Sequence, residues 1–355
     1  MAFDPASLRQ SWPQPSRPRP IVTIGAGSIV NDAHFPAYRK GGFPIAGVFD
    51  LDAERARAVG DRFGVRVFGS LDEALATEGA IVDLATPPAA HHAVLERVPL
   101  GAGVLIQKPM GADLDDATRI LKICRARALT AAVNFQLRFS PMMLAVRDAV
   151  ERGLLGRLLD VEVRVSIDTP WGLFAFLKGL PRIEIAVHSI HYLDLIRGFL
   201  GDPAGVHAKT IGHPSSEMVQ TRTAAILDYG DEVRSAMSVN HNHGYGRRHQ
   251  VAEFRFEGSE GAAHAKMGVL LDYPRGEPDE LTIRAKGETE WATVPLHGGW
   301  FPDAFVGRMA NLQRFVAGED AALIASVEDA WTTMALVEAA FESSARPATP
   351  LRPRL

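Results

Sequence analysis

Apolar positions in the first third of the chain fall into short β-branched runs separated by helical stretches. Ile21-Val22-Thr23-Ile24 is the first run, and it ends in Gly25-Ala26-Gly27, the pattern of a strand entering a glycine turn. Ile45-Ala46-Gly47-Val48-Phe49-Asp50, Arg66-Val67-Phe68, Ile81-Val82-Asp83-Leu84-Ala85, Val104-Leu105-Ile106 and Ala131-Ala132-Val133-Asn134-Phe135 continue the series. Between them the spacing predicts helices over residues 52–63, 71–76, 92–98 and 114–128. Strands alternating with helices of this length imply βαβ units and a doubly wound parallel sheet. After about residue 155 the pattern changes. Residues 158–167, 205–211, 221–229, 233–240, 251–256 and 281–285 alternate or run apolar like strands with few helices between them, which predicts an antiparallel sheet. A main helix is expected over 185–200 and two closing helices over 305–316 and 327–343.

This grammar divides the chain into a Pro-rich arm (1–20), a nucleotide-binding domain (21–145) and a substrate-binding and oligomerisation domain (146–355). The length, 355 residues, independently favours two domains. The arm carries Pro5, Pro13, Pro15, Pro18 and Pro20 with arginines between. It matches neither a signal peptide nor a membrane span and is expected either to pack on a partner subunit or to be disordered. A formal net charge of −4 offers no electrostatic attraction for nucleic acid or an acidic membrane. The single cysteine, Cys124, excludes an intrachain disulfide and fits a reducing, cytoplasmic setting. It falls on an apolar helical stripe with Leu114, Ala117, Ile120 and Leu121, so core packing is its expected role.

The strand–Gly25-x-Gly27–helix arrangement suits a dinucleotide pyrophosphate: glycines admit a tight turn, and a helix N-terminus offers N–H groups and a positive dipole end. The third glycine position is Val30, so the fingerprint is incomplete. Asp50, at the end of the second strand, adds to it. A carboxylate there accepts hydrogen bonds from ribose hydroxyls and repels a 2′-phosphate, which favours NAD and leaves NADP as the alternative. Asp50 as a helix N-cap is the competing explanation.

Three further segments occur in order: Ala85-Thr86-Pro87-Pro88-Ala89-Ala90-His91, Gln107-Lys108-Pro109 and Asn134-Phe135-Gln136-Leu137-Arg138-Phe139-Ser140-Pro141. With the glycine turn, the helix His191-Tyr192-Leu193-Asp194-Leu195-Ile196-Arg197-Gly198-Phe199-Leu200-Gly201 and Ser326-Val327-Glu328-Asp329-Ala330, the chain resembles the glucose–fructose oxidoreductase / inositol dehydrogenase / rhizopine-catabolism (Gfo/Idh/MocA) family over residues 21–345. The resemblance implies a Rossmann domain followed by an α/β domain with a large, mostly antiparallel open sheet. It implies hydride transfer at a secondary alcohol of a sugar, cyclitol or derivative, and a homodimer or homotetramer formed partly through the open sheet face. Cofactor contacts are expected from Gly25, Gly27, Ser28, Ile29, Asp50, Thr86, Pro87, His91, Gln107, Lys108 and Gln136. The chain departs from the family pattern at Gln107, where Glu is usual, at Pro88, where Asn is usual, and at Val187, where an acidic residue is common.

Oxidation of an alcohol needs a group that takes the hydroxyl proton as hydride leaves. Lys108 is expected to do this, at the crevice beyond the strand ends, with burial lowering its pKa. His191, heading a His-x-x-Asp, is the expected second catalytic group, with Asp194 within helical reach to orient it. His188 with Glu184 is the alternative if the helix register differs by one turn. Arg138, Trp171, Arg182, His188 and Asp194 are candidate substrate contacts. His241 and His243 share one strand face at spacing two, but no acidic or Cys partner lies near in sequence, so no metal is expected. Two competing functions use the same fold: redox-assisted elimination or isomerisation with transiently reduced NAD, and a non-catalytic sugar or dinucleotide sensor.

Overall fold

The computed structural model describes residues 3–172, 177–272 and 275–352. The first series of runs forms a five-stranded parallel sheet in the order β2-β1-β3-β4-β5. Its strands are β1 (Ile21–Ile24), β2 (Ile45–Phe49), β3 (Ile81–Leu84), β4 (Gly103–Ile106) and β5 (Thr130–Val133). β1, β3 and β4 are buried along their whole length, as parallel strands covered on both faces must be. The helices of this part are α1 (Phe35–Lys40), α2 (Ala53–Phe63), α3 (Leu71–Leu75), α4 (His91–Leu95) and α5 (Leu114–Ala126). Asp52, Ser70 and Asp113 cap α2, α3 and α5 by accepting first-turn N–H groups. Residues 66–68, expected as a strand, make only a bridge between Val67 and Val48. Ser70 begins α3 two residues later, so the chain turns away from the sheet edge before a ladder can extend.

The helix after the glycine turn starts at Ser28 and widens into a π turn (Val30–His34) before α1. Pro36 has no N–H to continue the ladder, and the Phe35 N–H instead reaches back five residues to the Val30 carbonyl. A second π segment (Glu184–Ser189) precedes α7 (Ile190–Leu200), where one continuous helix was expected. Between the sheets lies α6 (Pro141–Glu151).

The second sheet has eight strands in the order β13-β12-β11-β10-β6-β9-β8-β7. They are β6 (Leu158–Ser166), β7 (Gly205–Ile211), β8 (Arg222–Asp228), β9 (Arg234–Asn240), β10 (Val251–Gly258), β11 (Ala262–Lys266), β12 (Glu280–Arg284) and β13 (Ala292–Thr293). All neighbours are antiparallel except β6 and β9, which run parallel. Side chains alternate: Thr223, Ala225 and Leu227 face the core, while Ala224, Ile226 and Asp228 face outward. α7 and α9 (Val327–Ala345) pack on the inner side, and the other face is left open.

Two expectations need correction. The domain boundary at 146 does not hold for α8 (Asp303–Val316): Phe305, Met309, Ala310 and Leu312 pack in one core with Ile21, Ile81 and Leu105 of the first sheet. A parallel sheet needs both faces covered, and the chain returns to cover the second. The arm, expected as disordered or packed on a partner, is ordered against its own chain, with Leu8 in the core and Trp12 edge-on to Phe139. The Trp12 indole donates to Asp320 (2.7 Å), Arg9 pairs with Glu151, and the Arg19 N–H donates to Gln313. Cys124 is buried in the core as expected, and burial pushes its thiol up to about 12. No described helix is long and apolar enough to cross a membrane.

Candidate active site

The glycine turn lies at the C-terminal ends of β1 and β3. Gly25 takes φ +108°, and a Cβ there would sit 2.5 Å from the Ala85 carbonyl oxygen, so the backbone itself demands glycine. Gly27 is different. A Cβ on it would meet nothing within 4 Å, so no protein atom requires glycine and the space beside it is open. Ser28 and Ile29 begin the helix behind it. Asp50 sits half-exposed next to the turn, accepting the Ala26 N–H (2.7 Å) on one oxygen and the Asp52 N–H (2.8 Å) on the other. Asp52, not Asp50, caps the next helix. An ionised carboxylate has about four acceptor sites, so Asp50 keeps two free.

The loop after β3 carries Thr86 and Pro87. The Thr86 hydroxyl is buried without a partner, and so is the Gln136 amide oxygen, on the 3₁₀ turn Gln136–Phe139 after β5. Unpaired buried polar atoms are costly unless a ligand or water completes them. These two, the open space at Gly27 and the free acceptors of Asp50 fit a dinucleotide. His91 is tied to the loop through one ring nitrogen, while its Nδ1 is buried without a partner. Its ring is fully buried and bonded through Nε2 to the Thr86 carbonyl (3.0 Å), and burial lowers its pKa to about 4. It holds the loop. Gln107 accepts the Lys108 N–H (3.1 Å) and fixes the backbone at the β4 end.

Lys108 follows β4, joined to Pro109 by a cis peptide bond. Its Nζ donates to the carbonyl of Val187 (2.9 Å), across the crevice between the two sheets. Burial brings its pKa down to about 8. The π segment and α7 present His188 and His191 to this lysine. His191 is buried and held well below its usual pKa, first by burial and then by the Lys108 charge. His188 is also held down, by burial, His241, Lys108 and His191. Both rings carry an unpartnered Nδ1. Trp171 lies edge-on to His188 (5.6 Å between centroids) with its indole nitrogen unpaired.

Three of the expected substrate contacts are committed elsewhere. Arg138 makes a bidentate pair with Asp194 (2.6 and 2.7 Å) and also reaches Asp329 (3.2 Å). Asp194 in turn accepts from the Thr333 hydroxyl. Asp194 therefore does not orient His191. It braces the Rossmann-side turn against α7 and α9, because a buried carboxylate takes the nearest guanidinium fork. Arg182 pairs with Glu338 (2.8 Å) and stacks on Phe341, which places its guanidinium against α9.

Other residues enter the site in roles the sequence did not give them. His241 bonds not His243 but Thr169 (Nδ1 to Oγ1, 2.8 Å), its Nε2 lies 3.4 Å from Glu184 Oε1 without a hydrogen bond, and its ring lies 4.4 Å from that of His188. Glu184, wholly buried, also accepts from Ser189 and Thr223. It thus lies beside His241 rather than pairing with His188. Trp300 stands edge-on to His191 (5.5 Å, 86°). Beneath the sheet end, Asp83 holds His34 Nδ1 (2.9 Å), and His34 Nε2 meets Asn134 (3.2 Å). Asp83 inside an apolar strand was the signal for that network; Trp300 carried none. Among the described residues no group of three or more His, Cys, Asp or Glu is arranged to hold a metal ion.

A parallel sheet with a glycine turn, a ribose-side carboxylate and a lysine at its strand ends, facing two neutral imidazoles on a second domain, defines a two-domain nicotinamide oxidoreductase. The chain belongs to the Gfo/Idh/MocA family. Residues 20–135 match its oxidoreductase domain with the NAD-binding Rossmann fold, and residues 143–264 match the GFO/IDH/MocA C-terminal domain. It is 27% identical over 346 residues to D-apiose dehydrogenase of Rhizobium rhizogenes, covering 91% of this chain and 94% of that one. It is 26% identical to inositol 2-dehydrogenase of Rhizobium meliloti, covering 85% and 89%. An oxidoreductase from Agrobacterium radiobacter, solved with NAD+, L-tartaric acid and magnesium, shares the fold with TM-score 0.75 at 24% identity, over 93% of this chain and 97% of that one.

Proposed function

We propose that this oxidoreductase is an NAD-dependent dehydrogenase acting on a secondary alcohol of a small sugar, cyclitol or sugar derivative. The observation that carries the reading is the Lys108 ammonium bonded across the crevice to the helix that bears His188 and His191. The bound nicotinamide supplies the hydride acceptor. Lys108, with its pKa brought to about 8, loses its own proton readily and then accepts one from the substrate hydroxyl. His191, kept neutral by burial, faces Lys108 and holds the same hydroxyl by a hydrogen bond, while the proton goes to Lys108, the more basic of the two. Trp171 and His188 line the far side with unpaired donors and acceptors for the remaining hydroxyls. Asp50 favours NAD over NADP by its charge. The open face of the eight-stranded sheet supports association with a second copy. It exposes Ile226, Ile211 and Trp291 and contains a hollow of about 340 Å³. A panel of free sugars, cyclitols and their acids, assayed with NAD and with NADP for reduced nicotinamide, tests the function. Turnover with none of them, despite tight NAD binding, overturns it. Light scattering at several concentrations tests the association.

A further inference from the structure

The arm runs extended past Leu8, Gln10 and Trp12, whose alternation turns all three toward the protein. Leu8 is in the core and Trp12 is tied to Asp320, so Gln10 is held from both sides. Its buried amide makes two hydrogen bonds to one distant loop: Nε2 donates to the Pro295 carbonyl (2.9 Å), and Oε1 accepts the His297 N–H (2.9 Å). That loop leads directly to Trp300. Its later part is fixed by Asp303 at the Gly299 N–H (3.1 Å) and Asp279 at the Trp300 N–H (2.8 Å). Gly298, at φ +131°, has no room for a side chain against Asp303. The Trp300 ring, 6% exposed, stands against the His191 imidazole.

We propose that the N-terminal arm is a positioning element of the substrate site: Gln10 sets the 295–300 loop, the loop seats Trp300, and Trp300 is the wall that keeps water from His191. The proposal rests on the proposed role of His191 at the reacting hydroxyl for its catalytic meaning, but not for its geometry. The titratable groups facing His191 are Lys108, from beyond β4, and His188 on the preceding π segment. Asp194 on its own helix is neutralised by Arg138, from the turn after β5, which also meets Asp329 of α9. Burial is the leading cause of the His191 shift, so a wall that keeps water from the ring favours its neutral form.

Gln10→Ala and Trp300→Ala, each in the full chain with carbon-13-labelled histidine, test this by NMR titration, with His191 assigned by difference from His191→Gln. In the parent protein the expected midpoint of His191 lies well below 6.5, because the ring is buried. In Gln10→Ala its midpoint rises by about one unit as water enters, and in Trp300→Ala it rises further. NADH affinity, read by fluorescence, stays within about twofold, because the side-chain hydrogen bonds of Gln10 go to the 295–297 loop and not to the glycine turn. With a substrate found in the sugar panel, Gln10→Ala lowers kcat about tenfold and leaves KM for NAD unchanged. A Gln10→Ala protein that melts earlier yet titrates at His191 like the parent makes the arm a mere brace and overturns the proposal. So does an unchanged titration in Trp300→Ala. The titration needs no substrate, so a failed sugar panel counts against the proposed function and not against this inference.

Discussion

Lys108 is the residue whose chemistry depends most on its surroundings. An exposed lysine titrates near 10.5, whereas burial lowers this one to about 8. A general base works in its unprotonated form, so kcat for alcohol oxidation should rise with pH through about 8, and the reverse reduction should fall over the same range. Lys108→Ala should remove that limb and cost ~10²–10⁴-fold in kcat, with NADH binding retained. A limb surviving in the variant assigns it to another group. The two histidines separate in the same assay. His191→Ala should lower kcat more than His188→Ala if His191 is the histidine that holds the reacting hydroxyl. The opposite order gives that role to His188, one helical turn earlier. Asp50→Ser should weaken NAD binding by about 1.5–3 kcal/mol, as for hydrogen bonds to a charged group, and narrow the preference over NADP. Comparing kcat/KM for both cofactors checks this, and a parent enzyme preferring NADP contradicts the assignment of Asp50.

At the scale of the element, the two glycines of one turn have different physical reasons. Gly25 is required by its own backbone, through its positive φ and the Ala85 carbonyl at 2.5 Å. Gly27 faces open space. Gly25→Ala should therefore lower the melting temperature, whereas Gly27→Val should leave it nearly unchanged and abolish NAD binding by filling the space where a pyrophosphate approaches the helix start. Thermal melting with calorimetric NAD titration on both variants decides. Unchanged affinity in Gly27→Val removes this turn from the site. The π segment at Glu184–Ser189 has an analogous role in the second domain. It turns Glu184 toward Thr223 and His241 while His188 points at the lysine. A helix counted at uniform pitch would pair Glu184 with His188, and the irregular turn is the reason it does not.

For the whole molecule, the contact between domains is the central quantity. Arg138, Asp194, Thr333, Arg197, Asp329 and Asp202 form one chain of ion pairs and hydrogen bonds linking the turn after β5 to α7 and α9. Removing one partner of such a buried pair strands the other charge. Arg138→Ala should destabilise the fold by about 3–5 kcal/mol, visible as an earlier urea midpoint. If Arg138 only braces the domains, kcat/KM of the fraction that remains folded should change less than tenfold. A variant of full stability that has lost activity restores Arg138 to the substrate site. The arm and α8 belong to the same scale: both come from the ends of the chain, and both tie one domain to the other.

Periodicity alone determined the parallel sheet, its helices and the change to an antiparallel sheet, because burial of one strand face or helix stripe is a local pattern. The positions of the glycine turn, Asp50 and Lys108-Pro109 were legible for a related reason: each is a short segment that directly follows a strand end. Only tertiary structure decided what Arg138, Asp194 and Arg182 do, since a charged side chain takes the partner that folding brings within 3 Å, and sequence spacing does not say which one that is. The same holds for Glu184 lying beside His241, for α8 returning to the first sheet and for the arm lying on its own chain. Gln10 and Trp300 are the clearest instance. They stand at opposite ends of the sequence, and their connection exists only because two hydrogen bonds from one amide fix a loop beside His191.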